Sequence, residues 1–518
     1  MRSDPWEPAL DDPIWALMTA SSSPIQQDSS SPSALGPLLY ARGFDPQTAR
    51  HGLSALVALP KGAAPPPLRV EDRTIPAIEV DRFLGLAFYR YDFSLPAAGG
   101  TYSYGDRSFP VHLGGPQEDL RVAFVSCNGK EDGDFDRPPD EREAMWDRLK
   151  AAHAAAPLSL LLMGGDQIYA DAALNSHPDL ERWAEGWRGE AVHLPATPEA
   201  EQTATAVFLD RWVRSVTAPA AAHLMARVPV AAMWDDHDIF DGYGSHPGPV
   251  QESPLGQMIF RIARRFFRLF HAGGRWPWDE AQDPGTLSWC LSQPGFRVIA
   301  PDLRSERRPT RVMGDAGWAA TEAAFAGTPY GEPIFVVSSV PALGPRLSLL
   351  EGLHRLIPGA QRYEDDLRDQ WQSRAHRAEW RRFLRLAARH ADASGPVTFL
   401  SGEIHLAGRA EMRTPAGTVL HQLIASGISH PPPSPGFARA LGALGALGEA
   451  PLARHPISLK PLPGARRRFL AERNWLLLER RSGAWSAVWD LERAGRSPAL
   501  DLPGHLAEVS PAPRVAAP

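Results

Sequence analysis

The chain has 518 residues, 43% of them hydrophobic and 22% charged, with 54 Lys and Arg against 60 Asp and Glu and a formal net charge of −6. This length predicts one large catalytic domain with a smaller companion, and the acidic balance excludes a nucleic-acid protein built on bulk positive charge. Two cysteines, Cys127 and Cys290, exclude a disulfide framework, and no run approaches the ~18 apolar residues of a membrane-spanning helix.

The first residues are acidic and carry neither a twin arginine nor an apolar signal core, which predicts a cytoplasmic location. Residues 1–33, rich in Ser and Pro from 21 on, read as a flexible leader. Residues 34–116 have the texture of short strands. Over 85–95, Ala87, Tyr89, Tyr91, Phe93 and Leu95 fall on one face, and 53–59 and 101–104 are further strands between Pro/Gly-rich turns. A small all-β sandwich is expected here, with a boundary at Gly114-Gly115-Pro116.

From 117 to 500 the pattern alternates strand and helix, the signature of an α/β domain. Strands are expected at 120–126, 158–163, 228–234, 296–300, 334–338, 397–400 and 419–425. Helices are expected at 140–155, 201–216 and 364–390, and a late hairpin turns at Ser482-Gly483. Ile259, Ile262, Ala263, Phe266, Phe267 and Phe270 recur at helical spacing, with Arg261, Arg264, Arg265 and Arg268 on the other face; a packed helix with a solvated basic side is expected. Residues 441–448 (LGALGALG) read as a loop, Cys290 as a core thiol, and 501–518 as a flexible tail.

Four apolar runs end in polar clusters: Ser126-Cys127-Asn128, Gly165-Asp166-Gln167-Ile168-Tyr169, Trp234-Asp235-Asp236-His237-Asp238 and Ser401-Gly402-Glu403-Ile404-His405. In open α/β sheets the ligand crevice lies off the carboxyl ends of the strands. Carboxylate, imidazole, phenolate and thiolate together suit a borderline or high-valent transition metal beside a harder, oxygen-liking one. Asp302-Leu303-Arg304 follows a further strand, where Arg304 is offered either to phosphate or to a structural ion pair. The acidic loop at 131–136 reads as solvated.

GGDQIYAD, WDDHD and SGEIH resemble the alkaline phosphatase D (PhoD-like) family of calcineurin-like metallophosphoesterases, related to the purple acid phosphatases. The likeness spans roughly residues 118–430. It implies a four-layered α/β/β/α sandwich preceded by an immunoglobulin-like domain, and hydrolysis of small-molecule phosphoric mono- or diesters at a binuclear or larger metal centre. Position by position, it implies that Asp166 bridges two metals and that Cys127, Tyr169 and His405 complete a ferric site. Asp236 and Glu403 would hold the second metal, calcium in such proteins, with Zn²⁺ or Mn²⁺ as alternatives. His237 would lie beside the phosphate near the leaving group, with Asn128 and Arg304 as weaker substrate contacts. Glu403 departs from the family's Asp, and Asn128 from its Gln. Two other readings stay open: a metal-containing binding protein with a vestigial site, and a hydrolase using Cys127 and His237. Oligomeric state is not legible.

Overall fold

The computed structural model describes residues 35–187, 189–246, 249–275, 285–344 and 369–503. The leader expected over 1–33, and the expected tail from 504 on, lie outside the described residues. The protein is a mixed α/β structure with several sheets.

The first part of the chain supplies β1 (Leu35–Asp45), β2 (Arg50–Pro60), β3 (Leu68–Val70), β4 (Arg73–Ile75), β5 (Ile78–Phe83), β6 (Leu86–Pro96), β7 (Gly99–Tyr104) and β8 (Arg107–His112). Next come β9 (Leu120–Val125), β10 (Leu160–Gly164), β11 (Val230–Met233), β12 (Trp289–Gln293), β13 (Phe296–Ala300), β14 (Ile334–Val337), β15 (Val397–Ser401), β16 (Ala407–Arg413) and β17 (Val419–Ala425). The last are β18 (Glu449–Leu452), β19 (His455–Lys460), β20 (Phe469–Leu470), β21 (Asn474–Arg481), β22 (Ala484–Leu491), β23 (Gly495–Arg496) and β24 (Leu500–Leu502).

An eleven-stranded sheet runs β23-β22-β21-β9-β10-β11-β1-β2-β6-β5, with β24 on β22, and a nine-stranded sheet runs β12-β13-β14-β15-β17-β16-β19-β18, with β20 on β16. β9, β10 and β11 are parallel neighbours at the centre of the first sheet, and β13, β14, β15 and β17 are parallel in the second. Their residues are fully buried almost throughout, which is why these strands read as unbroken apolar runs.

Alternate residues of the second sheet enter different cores. Phe335, Val337 and Leu400 join the cluster containing β9–β11, while Val336 and Phe399 pack with Trp318 and Phe383 of the helices Asp315–Ala326 and Arg377–Ala393. Trp146 and Phe208 bring the helices Ala144–Ala155 and Pro198–Thr217 onto the first sheet. Among the described residues no helix is long and apolar enough to cross a membrane.

The β-rich segment holds a sandwich core in which Leu53, Val57 and Phe93 meet Val70, Tyr102 and Phe109 of the separate sheet β4-β3-β7-β8. Its other sheet does not stop at residue 116. β1 pairs in parallel with β11 at Tyr40↔Val230, so β1, β2, β6 and β5 continue the eleven-stranded sheet.

Several local expectations change. The long helix starts at Arg377 rather than 364: residues 364–368 lie outside the described residues, Asp369 is helical and buried, and 370–376 form turns and bends that bury Gln370, Trp371 and His376. LGALGALG is largely helical. Ser434 accepts the Phe437 N–H at 3.2 Å and starts a helix, Pro435–Leu444, that runs into the repeat. Cys290 is exposed, not core: it sits on the edge strand β12, whose inward positions are taken by Leu291 and Gln293. The basic amphipathic helix is packed, as expected, but its basic face is partly docked. Arg265 pairs with Asp81 at 2.6 Å and lies over the Phe83 ring.

Candidate metal centre

The four polar clusters follow β9, β10, β11 and β15, and the loops are tied together by backbone bonds. The N–H groups of Cys127 and Asn128 donate to the carbonyls of Gly165 and Asp166, and the Gly402 N–H donates to the Ser339 carbonyl. Two glycines are required by this crowding. A Cβ on Gly402 would lie 2.2 Å from Ser126 Oγ. One on Gly165, whose φ is +112°, would lie 2.7 Å from the Asp235 Cβ. Cys127, Asp166, Glu403 and His405 all hold positive φ (52°, 55°, 65° and 51°). Such strain persists only where surrounding structure fixes it, and it clusters at functional sites.

Cys127, Asp166 and His405 place ligand atoms within 4.8 Å of one another, as do Asp166, Asp235 and Asp236, and also Asp236, His237 and Asp241. Asp166 belongs to the first two groups, so it stands between them. Tyr169 adjoins the first, its hydroxyl 3.1 Å from His405 Nε2. The Cys127 sulfur lies 3.4 Å from Asp166 Oδ2 and accepts from the Glu403 N–H at 3.2 Å and Ser426 Oγ at 3.1 Å. Glu403 falls outside the three groups, and its Oε1 accepts from Gln370 Nε2 at 2.6 Å.

The electrostatics of this cluster are those of an anionic site short of positive charge. Burial, then the charges of Asp235 and Asp236, pushes the Asp166 carboxyl well above its usual range. Burial raises Asp235 to about 7, with Asp236 adding to the rise and Arg304 opposing it. The Cys127 thiol is pushed up by burial and then by Asp166, and the Tyr169 hydroxyl by burial and then by Cys127. Burial holds His405 well below its usual value, leaving a neutral imidazole. Asp166 Oδ1 and Asp235 Oδ2 are buried without a hydrogen-bond partner. Uncompensated buried carboxylate oxygens beside a thiol, a phenol and a neutral imidazole fit the ligand set of cations, which would also deprotonate the sulfur and the phenol.

His237 lies in the same crevice. Its Nδ1 is 2.8 Å from Asp171 Oδ2, its Nε2 is 4.0 Å from Asp241 Oδ1, and its ring stacks on Tyr169 at 4.2 Å. Burial would lower its pKa, but Asp171 and Asp236 raise it well above the ordinary value.

The two weaker substrate contacts are occupied structurally. Arg304 is fully buried: it pairs with Asp235, reaches Asp236 at 3.3 Å and grips Asp369 bidentately at 2.8 and 2.6 Å. Its fork is spent on carboxylates of the protein. Asn128 donates to Ser215 Oγ at 3.1 Å and the Gln167 carbonyl at 3.3 Å, and accepts from Trp146 Nε1 and Ser429 Oγ. These bonds tie helices to the site floor.

Three participants were not legible as such. Asp369 follows residues outside any motif and read as part of a helix. Asp238, inside WDDHD, accepts backbone N–H groups from Asp166, Gln167, Ile168 and Asp235. His430 follows β17 in Ser426-Gly427-Ile428-Ser429-His430, a near copy of the Ser401–His405 pattern, and its ring stacks on His405 at 3.6 Å. That repeated strand-end signal was available in the sequence. The loop at 131–136 closes over this side through Glu131, 3.2 Å from His430 Nε2.

Residues 141–363 match the family model described as PhoD related phosphatase. The segment includes Asp166, Tyr169, Asp236 and His237 but not Cys127, Glu403 or His405. The chain is 24% identical over 417 residues to the uncharacterized protein YGR266W of Saccharomyces cerevisiae, a match covering 65% of this chain and 58% of the length of that relative. The fold is similar to a solved structure titled "Structure of PhoD", with a TM-score of 0.53 and 11% identity over 93% of this chain and 94% of that one. Residues 141–363 are thus similar to the PhoD related phosphatases, and the fold is similar to that of the solved PhoD structure.

Proposed function

We propose that the protein is a metal-dependent hydrolase of small-molecule phosphoric esters, mono- or diesters, working at a binuclear centre within an α/β/β/α arrangement flanked by an immunoglobulin-like β unit. The observation that carries this reading is the position of Asp166, shared between the Cys127–His405 group and the Asp235–Asp236 group. Cys127, Asp166, Tyr169 and His405 would hold one cation, ferric iron by the anionic charge of the thiolate, phenolate and carboxylate donors. Asp166, Asp236 and Asp235 would hold a harder one such as calcium, with Glu403 joining if Gln370 releases it. When bound, such a pair supplies the charge that holds the phosphoryl group and activates water.

The chain's own residues do the rest. Asp171 accepts from His237 Nδ1 and so fixes the ring, and Tyr169 stacks against its face. His237 Nε2 is left to donate a proton to the leaving alkoxide or a hydrogen bond to phosphate. A second reading rests on the Asp236–His237–Asp241 group: His237 is itself a ligand of the second metal. The direct test is hydrolysis of a phosphate-ester panel before and after chelation. Activity lost on chelation and restored by metal supports the reading; chelator-resistant activity destroyed by thiol alkylation would replace it with the Cys127–His237 hydrolase. Bound metal with no hydrolysis across the panel would leave a binding protein.

A further inference from the structure

The helices Asp315–Ala326, Arg377–Ala393 and Pro435–Leu444 form one layer over the second sheet. Trp318, Phe383 and Leu441 enter the same core as Val336 and Phe399 of β14 and β15, so the opposite faces of all three helices point to solvent. The outer side of Arg377–Ala393 carries Arg381, Arg385 and Arg389, all exposed and four residues apart. Like charges at this spacing repel and weaken a helix.

Their neighbours are paired and they are not. Arg377 meets Glu449 at 3.2 Å and Arg382 meets Glu322 at 2.8 Å, but among the described residues Arg381, Arg385 and Arg389 make no hydrogen bond or ion pair. The two acids of the same helix are engaged elsewhere: Glu379 accepts the N–H groups of Val312 and Met313, and Asp392 accepts from the Thr414 hydroxyl. The stretch 431–471 adds six Arg and Lys against one acid, Glu449, in a chain whose net charge is −6. Of these, Arg439 is exposed on Pro435–Leu444, and Arg468 reaches the Gly442 carbonyl of that helix at 3.5 Å.

A second, independent feature is hydrophobic. The two most exposed large hydrophobic side chains among the described residues are Leu447, at 68%, and Tyr330, at 53%. They bracket the arginine stripe. Leu447 stands two residues before Glu449, the partner of Arg377 at the helix start. Tyr330 precedes Gly331, whose N–H donates to the Ser394 carbonyl just past the helix end. An exposed leucine alone carries no message; here the surface is basic in its middle and hydrophobic at both ends.

We propose that this layer docks on an anionic phospholipid bilayer, with Arg381, Arg385 and Arg389 among the headgroups and Leu447 and Tyr330 entering the interface. Lipid answers both features. Anionic headgroups attract Arg and Lys, the acyl boundary takes up a leucine, and a tyrosine ring is favoured at headgroup depth. A nucleic-acid backbone would meet the arginines and leave Leu447 in water. The surface uses no residue of the proposed metal centre and does not rest on that reading.

Co-sedimentation of the full chain with vesicles tests the proposal. Phosphatidylcholine with about a third phosphatidylserine should bind the protein at low salt, phosphatidylcholine alone should not, and about 0.5 M NaCl should release it. Binding should persist in EDTA, which separates it from headgroup capture at a metal centre. Replacing the three arginines together (Arg381→Gln, Arg385→Gln, Arg389→Gln) should weaken binding about a hundredfold, at about fivefold for each charge removed. Glutamine is as good a helix former as arginine and the change relieves repulsion, so the urea midpoint should not fall. Leu447→Ser should weaken binding several-fold and leave its salt dependence in place. No binding to anionic vesicles, equal binding to neutral ones, loss in EDTA, or undiminished binding by the triple variant would overturn the proposal. So would a DNA duplex that binds more tightly than the vesicles and is unaffected by Leu447→Ser, which would assign the stripe to nucleic acid.

Discussion

Asp238 Oδ2 accepts the backbone N–H of Asp166 at 2.9 Å. The same oxygen accepts from Asp235, and Oδ1 accepts from Gln167 and Ile168. One buried carboxylate thus sets the backbone of two of the four strand-end loops. Hydrogen bonds to a charged group are each worth about 1.5–3 kcal/mol and are not additive. Asp238→Ala should therefore destabilise the protein by about 3–5 kcal/mol and reduce metal retention, though it removes no proposed ligand. Asp238→Asn keeps one acceptor oxygen and should lie between. Denaturant melts with elemental analysis check this; unchanged stability in Asp238→Ala would show that the loops hold their shape without it.

His237 offers a test that separates binding from chemistry. As hydrogen-bond donor or acid, it should be dispensable for metal content, and His237→Ala should lower turnover of poor-leaving-group esters by about 10²–10⁴-fold. Nitrophenyl esters need little protonation and should lose less. Loss of the second metal in His237→Ala would favour the ligand reading built on Asp236 and Asp241. Equal losses for good and poor leaving groups would leave His237 a positioning role only.

Much of this was legible because buried parallel strands need unbroken apolar runs and must end where the backbone turns. Leu160–Gly164 and Val230–Met233 announce themselves, and so do the groups just beyond them. Which polar group faces a cavity and which holds the frame is a matter of tertiary contact, and the sequence carries no trace of it. Arg304 illustrates the limit: its spacing from a strand end suited phosphate, but Asp369, 65 residues away, occupies its fork. The continuity of the first sheet through β1 and β11 was equally hidden, since it depends on a pairing between distant segments.

Acid should weaken the fold in a defined window. Burial lowers the pKa of both His153 and His376 from about 6.5 to about 4, with nearby positive groups adding to the effect. Below 6.5 the unfolded chain binds protons that the folded chain refuses. The stability these groups contribute is therefore complete above pH 6.5 and is lost progressively as pH falls toward 4, at about 1.4 kcal/mol per pH unit for each. Urea midpoints across this range should fall with pH, and His376→Gln should flatten the decline. A profile unchanged by that substitution would remove His376 from the account.

The shared position of Asp166 is tested most directly by counting metals. Freshly purified protein should carry about two ions per chain, one of them iron, and Asp166→Ala should lose both, because its carboxylate lies in both ligand groups. Cys290→Ser, on the far strand β12, should keep both. Full hydrolytic activity in metal-free protein, or Asp166→Ala protein that retains its complete metal content, would contradict the account.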